Sequence, residues 1–115
     1  MSMEETIMTL VVKSGQARSA AYEALGEAKQ GRFEEAQKKM QESAQWVMEA
    51  HDIQTELLVM EARGEMDQIS LIGVHAQDHL MDAMVVKDLA AEIIDLYRVR
   101  GQETAALPGA ETSMN

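Results

Sequence analysis

Apolar residues recur every three or four positions along most of the chain, and this spacing predicts three long helices. The first spans about residues 4 to 30, the second about 33 to 61, and the third about 68 to 100. Gly31 follows the first helix as an expected helix-ending residue, and Asp67 is the expected N-cap of the third. The pattern therefore predicts an all-α fold, a three-helix up-down bundle.

The third predicted helix carries two apolar stripes instead of one. The first stripe consists of Ile69, Ile72, Ala76, His79, Ala83, Val86, Ala90, Ile93 and Tyr97. The second stripe consists of Leu71, His75, Asp78, Asp82, Val85, Leu89, Glu92, Leu96 and Val99. Both keep the alternating three and four spacing of a coiled coil. One stripe serves the core of a monomer, so the second predicts self-association through this helix. The alternative is that a monomeric core buries both stripes.

His75, Asp78 and Asp82 interrupt the second stripe. Charges in an apolar seam are costly unless they are paired, hydrogen-bonded or bound to a metal. At a symmetric axis each Asp78 would meet its own copies, and protonation or a cation would have to relieve the repulsion. Carboxylate oxygens suit a hard divalent cation such as Mg²⁺.

The composition narrows the classes of function. The net charge is −10 and the cations are scattered, which argues against nucleic acid and anionic membranes as partners. The chain has no cysteine, no apolar run of 18 residues and no signal peptide at "MSMEET", so we expect a cytoplasmic protein without membrane insertion. Residues 1–100 form the expected domain. Residues 101–115, which are aperiodic, form an expected disordered tail.

The histidines leave several interpretations open. A zinc pair at His75 and His79 lacks the glutamate of H-E-x-x-H, and the E-x-x-H motif of di-iron bundles is absent. A histidine phosphotransfer domain of two-component signalling usually has lysine three residues after the histidine, where this chain has Asp78. A coiled-coil scaffold would need no histidine for its function. His51 is interpreted as a residue that forms a hydrogen bond between helices.

Three stretches resemble one protein family. They are "SGQARSAAYEALGEAKQGRFEEA" at 14–36, "EAHDIQTELL" at 49–58 and "VHAQDHLMDAM" at 74–84. They are similar to the enzyme IIA component of the lactose/cellobiose class in the phosphoenolpyruvate-dependent sugar phosphotransferase system. The resemblance covers about residues 4–100, and "VHAQDHLM" is its most specific part.

The resemblance implies a homotrimer of three-helix protomers joined through the third helix. It implies a phosphotransferase in which His75 becomes the phosphohistidine and Gln77 and His79 support it. Asp78 from each protomer would meet at the trimer axis and bind a divalent cation, with Mg²⁺ expected. Asp82 departs from the family pattern, in which a small hydroxyl residue is common.

The resemblance also implies the partners. The phosphoryl group would arrive from the histidine-containing phosphocarrier protein and leave to a cysteine of the cognate enzyme IIB. The membrane component would phosphorylate the sugar during its uptake, so the sugar itself would not touch this chain.

Overall fold

The computed structural model describes residues 1–66 and 68–106, and these form three helices and no strand. Helix α1 spans Met3–Lys29, α2 spans Phe33–Ala62 and α3 spans Leu71–Ala106. Helix α2 runs antiparallel to the other two, and the bundle is a rod of 67 × 19 × 19 Å. The predicted three-helix bundle is confirmed, and the bounds of the first two helices agree within one residue.

Glycines end both of the first two helices in the same way. Gly31 has φ 77° and Gly64 has φ 72°, values at which other residues are strained. After each glycine the next N–H turns back to the helix: Arg32 donates to the Glu27 carbonyl and Glu65 to the Met60 carbonyl, both at 2.9 Å. These Schellman motifs satisfy the last carbonyls and reverse the chain.

The predicted bounds of the third helix were wrong at both ends. The helix begins at Leu71, and the hydroxyl of Ser70 caps it by accepting the N–H of Gly73 at 3.0 Å. Asp67, the expected cap, lies outside the described residues.

The helix also continues to Ala106, so residues 101–106 of the expected tail are helical. Gly101 costs about 1 kcal/mol in a helix, but extending a formed helix needs no new nucleus and the following residues favour it. The rest of the expected tail, residues 107–115, lies outside the described part of the chain.

The core of the bundle is built largely from alanine. The alanines that are at most 2% exposed are Ala17, Ala21, Ala24, Ala28, Ala36, Ala50, Ala76, Ala83 and Ala90. Such small side chains let the helices approach closely, while the fully buried Leu10 and Leu80 fill the space between them. The hydroxyl of Ser43 donates to the Ala17 carbonyl at 2.7 Å and fixes α2 against α1.

The two stripes of α3 have different surroundings. Ala76, Ala83 and Ala90 of the first stripe are buried, but Ile93 is exposed and Ile94 is buried in its place. The core face of α3 therefore keeps the alanines of the predicted first stripe but includes Leu80 and Ile94 instead of His79 and Ile93, because α3 lies in the groove between α1 and α2.

Large residues of the second stripe stay on the surface of the single chain. Leu71 is 86% exposed, Leu89 57% and Leu96 68%. The alternative in which one chain buries both stripes is therefore wrong.

The glycines allow a paired test of helix stability. We expect Gly26→Ala to raise the unfolding free energy by about 1 kcal/mol, because alanine is the better helix former. A Cβ at Gly26 meets no atom within 4 Å. Gly31→Ala adds the same methyl group at a positive φ and should lower the unfolding free energy by about 1–2 kcal/mol. Urea denaturation of both variants measures the difference, and equal shifts would contradict it.

Candidate functional site

The structure brings His75 and His79 together on the surface of α3. The two residues are one helical turn apart, and their Nε2 atoms lie 2.9 Å from each other. The ring planes are inclined at 85° with centroids 4.4 Å apart, an edge-to-face arrangement. His75 is exposed and His79 is half-buried. A hydrogen bond of this kind needs one ring that presents an N–H and one that presents a lone pair, so at least one ring is neutral.

Gln77 lies on a different side of α3 from His75. Its side-chain oxygen accepts a hydrogen bond from the Nε2 of Gln54 on α2. Two residues along a helix rotate the direction by about 200°, which explains why Gln77 turns away from the histidine that it almost adjoins. Within one chain Gln77 therefore joins α3 to α2.

The sequence analysis did not single out Gln54 as a site residue. Its only signal was a polar side chain on a face of the second helix that is otherwise apolar. A polar group at such a position usually finds a hydrogen-bond partner, and here the partner is Gln77.

Asp78 lies on the outward face of α3 and is exposed, as is Asp82. Asp78 and His75 border a shallow apolar depression formed with Leu71, Ile72 and Val74. In residues 1–66 and 68–106 of one chain, no three candidate metal ligands of the His, Asp or Glu type are grouped together. One chain thus offers a single carboxylate at the predicted axial position.

His51 does not have the role expected from the sequence. It is exposed on α2, and its backbone carbonyl accepts the hydroxyl of Thr55 at 3.0 Å. Among the hydrogen bonds of the described residues, none joins the His51 ring to another helix, so that prediction was wrong.

Ion pairs between α1 and α2 lie on another side of the bundle from the histidines. The Lys13 ammonium contacts the Glu49 carboxylate at 2.9 Å, and this hydrogen bond lowers the pKa of Glu49. The Glu23 carboxylate lies 2.9 Å from the Lys39 ammonium and raises the pKa of Lys39. These pairs show which flank of α1 faces α2.

In the part of the chain that the structure describes, no helix combines the length and the apolar character needed to cross a membrane.

Several known proteins are similar to this chain in sequence. A family model described as "PTS system, Lactose/Cellobiose specific IIA subunit" matches residues 5–98. The chain is 53% identical to the lichenan-specific phosphotransferase enzyme IIA component of Bacillus subtilis, over 83% of this chain and 86% of the relative.

Two solved structures are also similar. The crystal structure of the cellobiose-specific enzyme IIA from Bacillus anthracis superposes with a TM-score of 0.84 at 50% identity, covering 89% of this chain and 94% of the other. An Escherichia coli IIA(Chitobiose), solved in complex with HPr, superposes with a TM-score of 0.79 at 42% identity over 88% of this chain and 98% of the other. The chain belongs to the lactose/cellobiose-specific enzyme IIA family of the phosphoenolpyruvate-dependent sugar phosphotransferase system.

Proposed function

We propose that this chain carries a phosphoryl group on His75 during sugar uptake. The group arrives from the histidine-containing phosphocarrier protein and leaves to a cysteine of the cognate enzyme IIB. The observation that carries this proposal is the exposed imidazole of His75, whose Nε2 lies 2.9 Å from that of His79. A similar IIA that was solved in complex with HPr supports the choice of donor.

In each of the two phosphoryl transfers one bond to phosphorus forms as another breaks, and no cofactor is needed. A ring nitrogen of His75 attacks the phosphorus of the donor's phosphohistidine, and the donor's N–P bond breaks as the new N–P bond forms. The donor ring keeps the electron pair of the broken bond. In the second step the cysteine thiolate of IIB attacks the same phosphorus, and the imidazole of His75 leaves. Both steps pass through a loose transition state, so positioning and electrostatics provide most of the catalysis.

His79 is suited to a supporting role in these steps. Its half-buried ring is held beside His75 by helix geometry and has an N–H or a lone pair at hydrogen-bond distance. Before transfer the contact orients the His75 ring. After transfer an N–H of His79 can donate to a phosphoryl oxygen, and a neutral donor does so without trapping the anion.

The working unit in this proposal is a homotrimer assembled through α3. The apolar residues of the second stripe that are at least half exposed are Leu71, Val85, Leu89, Leu96 and Val99. They follow one face of α3 along most of its length, and such a continuous apolar surface usually marks an interface. Three copies packed on this face would bury the stripe and place His75 at a boundary between protomers.

Asp78 lies on the same face and would approach its copies at the axis of that trimer. One chain supplies one exposed carboxylate there, and its hard oxygen ligands fit a divalent cation such as Mg²⁺. A bound cation would neutralise the repulsion between the carboxylates. Asp78 from each protomer holds the cation in this proposal, and the phosphoryl transfer takes place at His75.

The names of the relatives fit a carrier that does not handle the sugar. Chains similar to this one are named for lichenan, cellobiose and chitobiose. A protein that only passes on a phosphoryl group can keep one fold and one histidine site while other components select the sugar.

A reconstituted phosphorylation assay tests the proposed function. The chain is incubated with phosphoenolpyruvate, enzyme I and the histidine phosphocarrier, and the acid-labile phosphate is located by mass spectrometry. We expect label on His75 that moves to a cysteine when enzyme IIB is added. A folded chain that takes no label would contradict the proposal and favour a scaffold.

The variant His79→Ala tests whether His79 supports the transfer or carries the phosphoryl group itself. We expect slower phosphorylation, by about 10–100-fold, with the label still on His75, because the variant loses one oriented hydrogen bond but keeps the nucleophile. Quench-flow measurement of the labelling rate gives the effect. Complete loss of label in a folded variant would mean that His79 is itself the carrier or is indispensable to it.

A further inference from the structure

The two imidazoles on α3 present the same ring atom to each other. The Nε2 atoms of His75 and His79 lie 2.9 Å apart. Two metal–nitrogen bonds of about 2.0–2.1 Å would span this distance with an angle of about 90° at the metal. That angle fits two adjacent positions of the square-planar or tetragonal geometry that Cu²⁺ and Ni²⁺ prefer. A tetrahedral ion such as Zn²⁺ would need the two nitrogens to be about 3.3 Å apart.

Small rotations bring the lone pairs of both rings to one point. The last side-chain torsion of a histidine has a broad energy minimum, so each ring can turn toward a shared ion. The ring that donates the hydrogen bond would move its proton from Nε2 to Nδ1, and both rings would stay neutral. His75 is exposed, so water can fill the remaining positions around the ion.

The charges around the pair favour a cation. Asp78 and Asp82 are exposed on the same helix, and the sequence from 64 to 86 contains no lysine or arginine. The net charge of the whole chain is −10. A negative potential of this kind raises the local concentration of cations. Imidazole nitrogen selects transition metals, whereas Mg²⁺ prefers oxygen ligands, so the histidine pair and Asp78 would bind different ions.

The pair is suited to reversible binding and not to metal catalysis. Two histidines four residues apart on a helix are a recurrent pair of metal ligands, and zinc proteases add a glutamate as general base. This chain lacks that glutamate, which excludes their chemistry but leaves the ligands in place. In residues 1–66 and 68–106 no third His, Asp or Glu joins the pair in a metal-binding group. The ion would therefore have two protein ligands and would exchange readily.

We propose that His75 and His79 together form an inhibitory site for a divalent transition metal of the Ni²⁺ and Cu²⁺ class. The bound ion occupies the lone pair of the His75 Nε2, so this nitrogen cannot attack phosphorus while the ion is present. The metal and the phosphoryl group therefore compete for one histidine. The competition rests on the proposed function of His75, whereas the binding of the metal does not.

Calorimetric titration with Ni²⁺ tests the binding. The buffer contains excess Mg²⁺, which occupies carboxylate sites and leaves the imidazoles free. We expect one Ni²⁺ per chain and binding at least about tenfold weaker in His79→Ala, because even an outer partner of a metal ligand is worth about that factor. His51→Ala removes an exposed histidine of α2 and should bind like the wild type. Equal affinity in His79→Ala and the wild type would overturn the inference.

Paramagnetic Ni²⁺ gives a second readout that needs no substitution. We expect a small amount of Ni²⁺ to broaden the ring resonances of His75 and His79 well before those of His51 in the NMR spectrum of the wild-type chain. Because the folded chain is observed directly, an unfolded variant cannot produce this result. Broadening that spares both rings on α3 would assign the ion to another site and contradict the inference.

The competition is measured with purified phosphorylated carrier as the only donor. We expect Ni²⁺ to slow the labelling of His75 at the concentrations at which it binds, and added free histidine, which removes Ni²⁺, to restore the rate. His79→Ala should be insensitive to the same Ni²⁺ concentration, whereas inhibition through the donor would affect both chains equally and would overturn the inference. Ni²⁺ that binds the pair without slowing the transfer also overturns it. Absence of label in the metal-free wild type would instead refute the proposed function.

Discussion

Replacing His75 by alanine is expected to abolish phosphorylation of the chain and sugar uptake that depends on it. The substitution removes the ring nitrogen that forms the N–P bond in the proposed transfer. The loss should therefore exceed about 10⁴-fold, in contrast to the smaller effect of losing a supporting hydrogen bond. Labelling from phosphoenolpyruvate with enzyme I and the histidine phosphocarrier measures it.

The controls for His75→Ala follow from its position. His75 is exposed on α3, so the variant should keep the helical content and the oligomeric state of the wild type. His79→Ala serves as the comparison, because it removes the same ring one turn away and should still take label. Acid-labile phosphate that persists at His51 or His79 in His75→Ala would show that another histidine is the carrier.

Replacing Asp78 by leucine is expected to stabilise the oligomer. In the proposed trimer this substitution exchanges three carboxylates at the axis for apolar side chains that continue the exposed stripe of Leu71, Val85 and Leu89. Exchanging charges in an interface for well-packed apolar groups is worth about 1–4 kcal/mol, which corresponds to a rise of several degrees in melting temperature. Thermal unfolding and sedimentation velocity measure the two effects.

A metal chelator makes the Asp78 prediction more specific. Removal of divalent cations should lower the melting temperature of the wild type, because the axial carboxylates lose their counter-ion, and should leave Asp78→Leu unchanged. Asp88→Leu is the matched control, since it removes the same charge from an exposed position of α3 outside the stripe. A lower melting temperature or dissociation of Asp78→Leu would show that Asp78 does not lie at an apolar axis.

The periodic pattern of α3 predicted only part of how this helix packs. The alternation of three and four in the sequence predicted two faces on α3, and the structure leaves the second face exposed in a single chain. The pattern could not decide which residues face the core, because Leu80 and Ile94 are as apolar as the stripe beside them. Packing in the groove between α1 and α2 selected Leu80 and Ile94 and left Ile93 outside.

The sequence predicted that His75 and His79 are neighbours, but it did not predict the hydrogen bond between Gln54 and Gln77. The spacing in "HAQDH" places His75 and His79 on one flank of any helix, since residues four apart are neighbours. The same spacing directs Gln77 to another side of the helix. Its hydrogen bond with Gln54 could not be predicted in this way, because the two residues are 23 positions apart in the sequence.

The sequence by itself determined the three helices, the glycine-ended turns, the acidic surface and the resemblance that leads to the family. These features depend on local periodicity, on the backbone freedom of Gly31 and Gly64, and on residues close together in the chain. Only the tertiary structure decided the core face of α3, the start of that helix at Leu71 and the Gln54–Gln77 contact. Those features arise from packing between helices, where several apolar faces compete and close approach of the buried alanines selects one arrangement.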